Sequence, residues 1–316
     1  MQEKAIQRQI VPHLNSSELK RRLWKNKWLY VMLTPGMLYF LVFKYLPMYG
    51  LIISFQNYKP FKGVMGSEWV GLEHFRRLFT EPDFFQILFN TMMLFAMNLV
   101  FYFPVPIILA LMLNEVRSSF FKRFFQTLVY IPHFMSWVII VSITYVMLTM
   151  DGGIINELLV LCGLEKINFL LSPEWFRPTY ILQVIWREAG WGTIIYLAAI
   201  ASIDPQLYEA ARMDGAGHFR QIWHITLPAI RGVIIILLIL KIGHVLDLGF
   251  EHIYLMLNSM NRDVAEIIDT YVYTAGLQQG QFSYSTAIGF FKSFIGLGMV
   301  MAVNKLANKM GEEGVY

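Results

Sequence analysis

The chain has 316 residues, of which 56% are hydrophobic and only 15% charged, and its formal net charge is +4. That composition is too apolar for one or two soluble domains of ordinary usage. The basic residues are scattered through short segments rather than gathered in a block, which argues against nucleic acid as a partner. Cys162 is the one cysteine, so an intrachain disulfide is excluded and no metal-ligand spacing exists around it.

Met1 to Lys27 is polar and ends in Lys20-Arg21-Arg22-Leu23-Trp24-Lys25-Asn26-Lys27, with no apolar core of the signal-peptide type. Residues 1–27 are therefore expected to form a cytoplasmic tail, followed by a retained first span. A helix needs about 20 apolar residues to cross the hydrocarbon, and about six stretches qualify. They are Trp28 to Phe55, Phe85 to Leu113, Phe124 to Leu148, Thr179 to Ala201, Ala229 to Gly249 and Ser285 to Ala307. Pro35-Gly36 and Pro47 interrupt the first, Pro104 and Pro106 lie in the second, and Pro132 stands near the entry of the third. Such breaks are tolerated where neighbouring helices satisfy the freed backbone groups. The expected fold class is an all-α membrane protein of about six transmembrane helices, with a membrane domain over 28–307 and a second cytoplasmic tail over 308–316.

Orientation follows from the Lys and Arg count of the loops. With the N-terminal tail inside, about 15 fall in the tail, the Asn114 to Arg123 loop, the Ser202 to Arg231 loop and the C-terminus, against about 7 on the other side. Both termini are thus expected in the cytoplasm. The outer segments, including Asp151-Gly152-Gly153 and Glu251 to Tyr284, are richer in acid than in base and read as a solvent-facing surface for an external partner.

One inner loop, residues 202–228, is long, amphipathic and punctuated. Asp204 can cap and Pro205 can open a helix that runs through Glu209-Ala210-Ala211 and stops near Asp214-Gly215, where glycine permits a left-handed reversal. A second short helix would carry Phe219, Ile222 and Trp223 until Pro228 begins the next span.

Here the chain resembles the membrane subunits of ATP-binding-cassette importers. Their shared signature is Glu-Ala-Ala, three residues, Gly, nine residues, Ile, one residue, Leu-Pro, and it is met by Glu209, Ala210, Ala211, Gly215, Ile225, Leu227 and Pro228. An ordinary interfacial helix would not require the Gly and Leu-Pro spacing. The resemblance implies the type I importer permease fold, and that Glu209, Ala210, Ala211, Asp214 and Gly215 form the element that docks on a cytosolic ATPase. Further patches, among them Phe43-Lys44-Tyr45-Leu46-Pro47, Trp69-Val70-Gly71-Leu72-Glu73 and Asp269-Thr270-Tyr271-Val272-Tyr273, resemble the carbohydrate importers, in particular the branch handling alginate and pectic oligosaccharides.

Ionisable side chains inside a span are costly and become site candidates by default. Lys44, Arg187 and Lys292 fall in the outer half of their predicted helices and Lys241 near the middle. If they point inward they form a cationic cavity suited to uronate carboxylates. Alternatively Lys44 and Lys292 snorkel, and Arg187 joins a local charge network with the adjacent Glu188. Arg187 and Trp191 share a helix face by four-residue spacing, as do Lys241 and His244 by three, and Trp186 can stack on a sugar ring. The candidate substrate residues are therefore Arg187, Trp186, Trp191, Lys241, His244 and Lys292.

No Gly-x-x-x-x-Gly-Lys-Ser/Thr pattern occurs, so the chain is not expected to hydrolyse ATP. The resemblance implies a separate ATPase, present in two copies and using ATP and Mg, with no cofactor bound by this chain. It also implies a second permease subunit that is a distinct homologue, an extracytoplasmic solute-binding protein, an oligosaccharide substrate, and residence in the bacterial inner membrane. The rival readings are an ion-gradient transporter, which predicts an inverted repeat, and an intramembrane enzyme, which predicts a catalytic constellation at membrane depth.

Overall fold

The structure, a computed structural model, describes residues 24–309. Most of the expected tail over residues 1–27, and residues 310–316, therefore lie outside the described part. The chain divides into two units at Ile52 and Ile53. The first holds α1 (Lys27–Phe40), a π turn at Leu41–Tyr45 and the start of a 3-10 segment, Leu46–Phe55. The second opens with two short antiparallel strands, β1 (Gln56–Asn57) and β2 (Glu68–Trp69), in the register Gln56 to Trp69, with α2 (Gly63–Gly66) between them. Then come α3 (Glu73–Thr80), α4 (Pro82–Met97), α5 (Pro104–Glu115), α6 (Ser119–Tyr130), α7 (Trp137–Leu148) and α8 (Ile154–Leu161). The remainder is α9 (Pro173–Ala201), α10 (Pro205–Met213), α11 (His218–Gln221), α12 (Leu227–Gly243), α13 (Phe250–Met256), α14 (Arg262–Ala265), α15 (Ile268–Tyr273) and α16 (Phe282–Lys309).

The prolines shape the spans without ending them. A proline ring clashes with the carbonyl four residues back and supplies no N–H, so the turn before it widens. Leu41–Tyr45, Asn98–Tyr102 and Ile222–Thr226 are π turns that precede Pro47, Pro104 and Pro228 by two residues each. In the second of them Phe103 N–H bonds to the Asn98 carbonyl at 2.9 Å, five residues back, and α4 runs on into α5 as one 34-residue element.

Among the described residues four elements are long and apolar enough to cross a membrane: 27–55, 82–115, 218–243 and 282–305. The expected third span is not one rod. Residues 119–134 and 137–148 meet at 102°. Ile131–Phe134 tightens into a 3-10 turn around Pro132, Met135 is extended, and Ser136 restarts the helix by accepting from Ile139 N–H. The fifth span begins earlier than predicted and stops at Gly243, so His244 caps it and Asp247 lies beyond it. The helix α9 also begins before Thr179, at Pro173, and its 29 residues extend about 44 Å. Arg187 consequently stands at its midpoint rather than in an outer half.

The expected solvent-facing segment from Glu251 to Tyr284 is instead folded into the protein. Ile253, Met256, Ala265 and Ile267 join Leu94, Phe176, Tyr180 and Val184 in one apolar cluster, and Ile268, Tyr284 and Ile288 join Leu78, Phe84 and Ile87 in another. Its polar backbone is satisfied from the spans: Asn90 Nδ2 donates to the carbonyls of Asp263 at 2.8 Å and Glu266 at 3.2 Å. A third cluster, Ala110, Tyr196, Ile200 and Ile230, binds the other ends of α5, α9 and α12 together.

Candidate functional site

Local chemistry builds the loop between α9 and α12. Asp204 Oδ1 accepts from Gln206 N–H at 2.9 Å, and Pro205 occupies the first helical position, where a missing N–H costs nothing. At the other end Asp214 is the cap and Gly215 takes φ +76°. Gly215 N–H then bonds to the Arg212 carbonyl at 3.0 Å and Ala216 N–H to the Ala211 carbonyl at 2.8 Å, the paired bonds of a Schellman stop. Glu209 and Ala210 are exposed and Ala211 half-buried, so α10 presents its small-residue face outward.

The helix is also tethered. The Tyr208 hydroxyl lies 2.9 Å from Thr226 Oγ1 at the foot of α12, Gln221 Nε2 donates to the Ala216 carbonyl at 2.7 Å, and His218 Nδ1 lies 3.0 Å from Glu115 Oε2 at the end of α5. Met213 and Phe219 are 89% and 90% exposed.

The second concentration of polar groups surrounds the midpoint of α9. The Arg187 Nε donates to the Met135 carbonyl at 2.9 Å, in the break between α6 and α7, and its guanidinium lies 4.4 Å over the Trp137 ring. Its other end is hydrogen-bonded to Glu188. Glu188 accepts in turn from His133 Nδ1 at 3.0 Å, and the His133 ring stacks on Trp191 with centroids 4.5 Å apart. Arg187 and Trp191 are thus joined through Glu188 and His133, a charge network rather than a lone cation.

Lys241 and His244 line one cavity of about 390 Å³ with Tyr102, Gly192 and Tyr196, and Lys241 Nζ sits 5.2 Å from the Tyr102 ring centre. Glu188 is near enough to act electrostatically on both Lys241 and Tyr102, which makes this cavity and the Arg187 network neighbours. Trp186, on another face of α9, borders a separate and largely apolar cavity of about 550 Å³ with Trp175 and Phe169. Lys292 donates to Asp269, and Asp269 borders a third cavity of about 580 Å³ with Asp247, Phe250 and Tyr273. Of the six candidates, Lys241 and His244 line one cavity and Trp186 another, Lys292 reaches the third through Asp269, and Arg187 and Trp191 belong to the network around Glu188. Arg187 and Lys292 each hold a carboxylate partner. Lys44 lies in the π turn of the first unit.

The described residues hold no group of three His, Cys, Asp or Glu side chains placed to bind a metal ion. Their arrangement can orient hydroxyls and carboxylates of a ligand by hydrogen bonds and stacking.

Residues 102–311 match the family described as binding-protein-dependent transport system inner membrane component. The chain belongs to this family. With that membership the ion-gradient transporter and the intramembrane enzyme fall away as readings. Among relatives, the polygalacturonan/rhamnogalacturonan transport system permease protein YteP of Bacillus subtilis (strain 168) is 70% identical over 93% of this chain and 92% of its own length. Protein LplB of the same organism is 56% identical over 93% and 92%. A chain in the crystal structure of a bacterial alginate ABC transporter, in complex with an alginate pentasaccharide-bound periplasmic protein, superposes with a TM-score of 0.87 at 40% identity, covering 93% of this chain and 99% of that one. The type I importer fold implied by the loop signature is thereby the fold of this permease.

In this permease the network includes residues that sequence reasoning passed over. His133 and Trp137 flank the break in the third span, and His252 belongs to the segment read as a surface loop. His252 is buried, stacks on Trp137 with centroids 3.7 Å apart and lies 2.6 Å from Gln183 Oε1 by its Nε2. Gln183 was within reach of the sequence, since Gln183, Arg187 and Trp191 follow one another at four-residue spacing along one face of α9. The histidines had no such local signal.

Proposed function

We propose that this chain is one of two membrane subunits of an ATP-driven importer that carries oligosaccharides of the pectic or alginate type, uronate-containing ones included, from a binding protein into the bacterial cytoplasm. Six spans cross the inner membrane: the four long apolar elements, the bent pair α6 and α7, and α9. Both termini and the loop between α9 and α12 face the cytoplasm, in keeping with the excess of Lys and Arg on that side. The other permease is a distinct homologue. Two copies of a cytosolic ATPase use ATP and Mg, and this chain binds neither.

The observation that carries the reading is the construction of α10. It is stopped at both ends, exposed on its Glu209-Ala210 side and pinned through Tyr208 to Thr226. A force applied to α10 by a closing ATPase dimer would therefore reach the foot of α12 and, through Ser202 and Ile203, the end of α9. Small side chains at Ala210 and Ala211 allow another backbone to approach closely. The switch between inward-facing and outward-facing states requires ATP and loaded receptor to bind those states with different free energies. On the path between them the sugar meets the Arg187, Glu188 and Trp191 network and the Lys241 and His244 cavity, where basic groups receive carboxylates and aromatic rings receive the sugar faces.

The test is uptake of labelled oligogalacturonate by proteoliposomes holding the two permeases and the ATPase, with the binding protein outside. Uptake should require ATP and receptor together. Uptake that persists without the ATPase under an ion gradient would overturn the mechanism, and ATPase stimulation by neutral oligosaccharides alone would remove uronates from the substrate class.

A further inference from the structure

The contacts behind Arg187 close into a ring across three elements. Arg187 lies on Trp137 of α7, Trp137 lies on His252 of α13 with ring planes 6° apart, and His252 meets Gln183 of α9, one turn before Arg187 on the same face. Each member needs the next. Trp137 is the first residue of α7, directly after the break at Met135 and Ser136, so no preceding helical turn fixes it. A long guanidinium side chain would otherwise sample several rotamers, and the indole face with the Met135 carbonyl selects one.

The hydrogen bonds also fix the state of His252. Gln183 Nε2 donates to Thr144 Oγ1 at 2.7 Å, so Gln183 Oε1 must accept, and His252 must carry its proton on Nε2. His252 Nδ1 has no partner among the described residues, which fits a neutral imidazole with a bare acceptor nitrogen. On its ring system Tyr180 also stacks, with centroids 4.9 Å apart, and the Tyr180 hydroxyl accepts from Asn98 Nδ2 at 2.8 Å. His252 is thus the joint at which α7 and α9 meet α13, and it is 1% exposed, out of reach of any sugar.

We infer that His252 and Trp137 are positioning residues for transport, which hold the Arg187 guanidinium, and with it the Glu188 carboxylate, in the geometry that receives the sugar. This rests on the assignment of Arg187 and Glu188 to the sugar path. The ring face of His252 is what positions Trp137; its N–H serves to satisfy Gln183. The two functions are separable by substitution, because glutamine can keep a donor toward Gln183 without a ring, and phenylalanine can keep a ring without a donor.

The experiment measures sugar moved per ATP hydrolysed by the complete complex in proteoliposomes, with loaded receptor, together with the melting temperature of the complex. Arg187→Ala is the benchmark and should lower the ratio about tenfold. His252→Gln should lower it severalfold while loaded-receptor ATPase and melting stay near the parent. His252→Phe should melt earlier and keep its ratio. Trp137→Phe should fall between the parent and Trp137→Leu, because the cation-π attraction weakens from Trp to Phe and is lost with Leu. A normal ratio in His252→Gln and Trp137→Leu, beside a lowered one in Arg187→Ala, overturns the positioning role alone. A normal ratio in Arg187→Ala removes Arg187 from the sugar path and overturns both. A loss of uptake and ATPase in equal proportion across the His252 and Trp137 variants assigns these residues to the core and also overturns the inference.

Discussion

Arg187 Nε donates to the carbonyl of Met135 at 2.9 Å, and this one bond ties the midpoint of α9 to the place where α6 and α7 meet at 102°. A carbonyl freed by a helix break and buried away from water needs a partner, and here it takes one from the neighbouring helix α9. The same guanidinium neutralises Glu188. Charge and break are mutually dependent.

It follows that Arg187→Met should be more harmful than its loss of charge implies, because it strands both the Met135 carbonyl and the Glu188 carboxylate. Breaking one side of such a pair typically costs about 3–5 kcal/mol, whereas replacing both sides with neutral groups costs less. Thermal unfolding of the purified complex should therefore rank Arg187→Met below the double variant Arg187→Met with Glu188→Gln. If the double variant is the less stable, the two residues do not act as a pair.

Gly215 at φ +76° predicts a different kind of failure. A side chain in the left-handed region costs roughly 1–2 kcal/mol, more when β-branched, and nothing within 4 Å would obstruct its Cβ. Gly215→Val should thus leave the protein inserted and folded while tilting α10, and Gly215→Asn should be milder. ATPase stimulation by loaded receptor should be lost in the first and largely retained in the second. Equal activity in both would mean that the reversal after α10 does not set its orientation.

How much of this could be read in advance depended on whether the signal was local. Asp204, Pro205, Gly215 and Pro228 act within a few residues of themselves, so the α10 loop was legible to the residue. Apolar length located the elements at 27–55, 82–115, 218–243 and 282–305, and Pro104 and Pro228 altered their turns without ending them. The break after Phe134 was not legible as a right-angled bend, because the donor that satisfies the Met135 carbonyl is Arg187, 52 residues later. The segment from Glu251 to Tyr284 looked like a surface loop for the same reason. Its Asn, Asp and Glu residues read as hydrophilic, yet Asn90 and Gln183 reach into it from spans far away in sequence.

Glu81 gives a prediction in pH. It precedes α4, and although burial works against its charged form, Tyr284 donates to it at 2.5 Å, Arg77 at 2.7 Å and Tyr271 at 3.3 Å. Together these hold its carboxyl below the ordinary value. A group whose folded pKa is depressed stabilises the fold above its unfolded pKa, and that contribution disappears as pH falls through the folded value. Melting temperature should therefore drop as the medium is acidified below the ordinary carboxylate range. In Glu81→Gln the same acid slope should be shallower; an unchanged slope would assign it to other carboxylates.

At Gly190, α9 packs directly on the backbone of α6. A Cβ placed there would stand 2.1 Å from the Val129 carbonyl oxygen and 2.6 Å from its carbon, backbone atoms that no rotamer change can remove. A small residue at such a point lets two helix backbones approach closely. Gly190→Ala should consequently push α6 away by the width of a methyl group, at a cost of about 1–3 kcal/mol. It should also shift His133, which follows α6, relative to Glu188, which precedes Gly190 by two residues. The combined expectation is a lower melting temperature and a weakened response to sugar, with ATPase docking through α10 unaffected. By contrast Gly296→Ala, at a position on α16 with open space around its Cβ, should change neither. If the two alanine variants behave alike, the contact between Gly190 and Val129 does not hold α6 to α9.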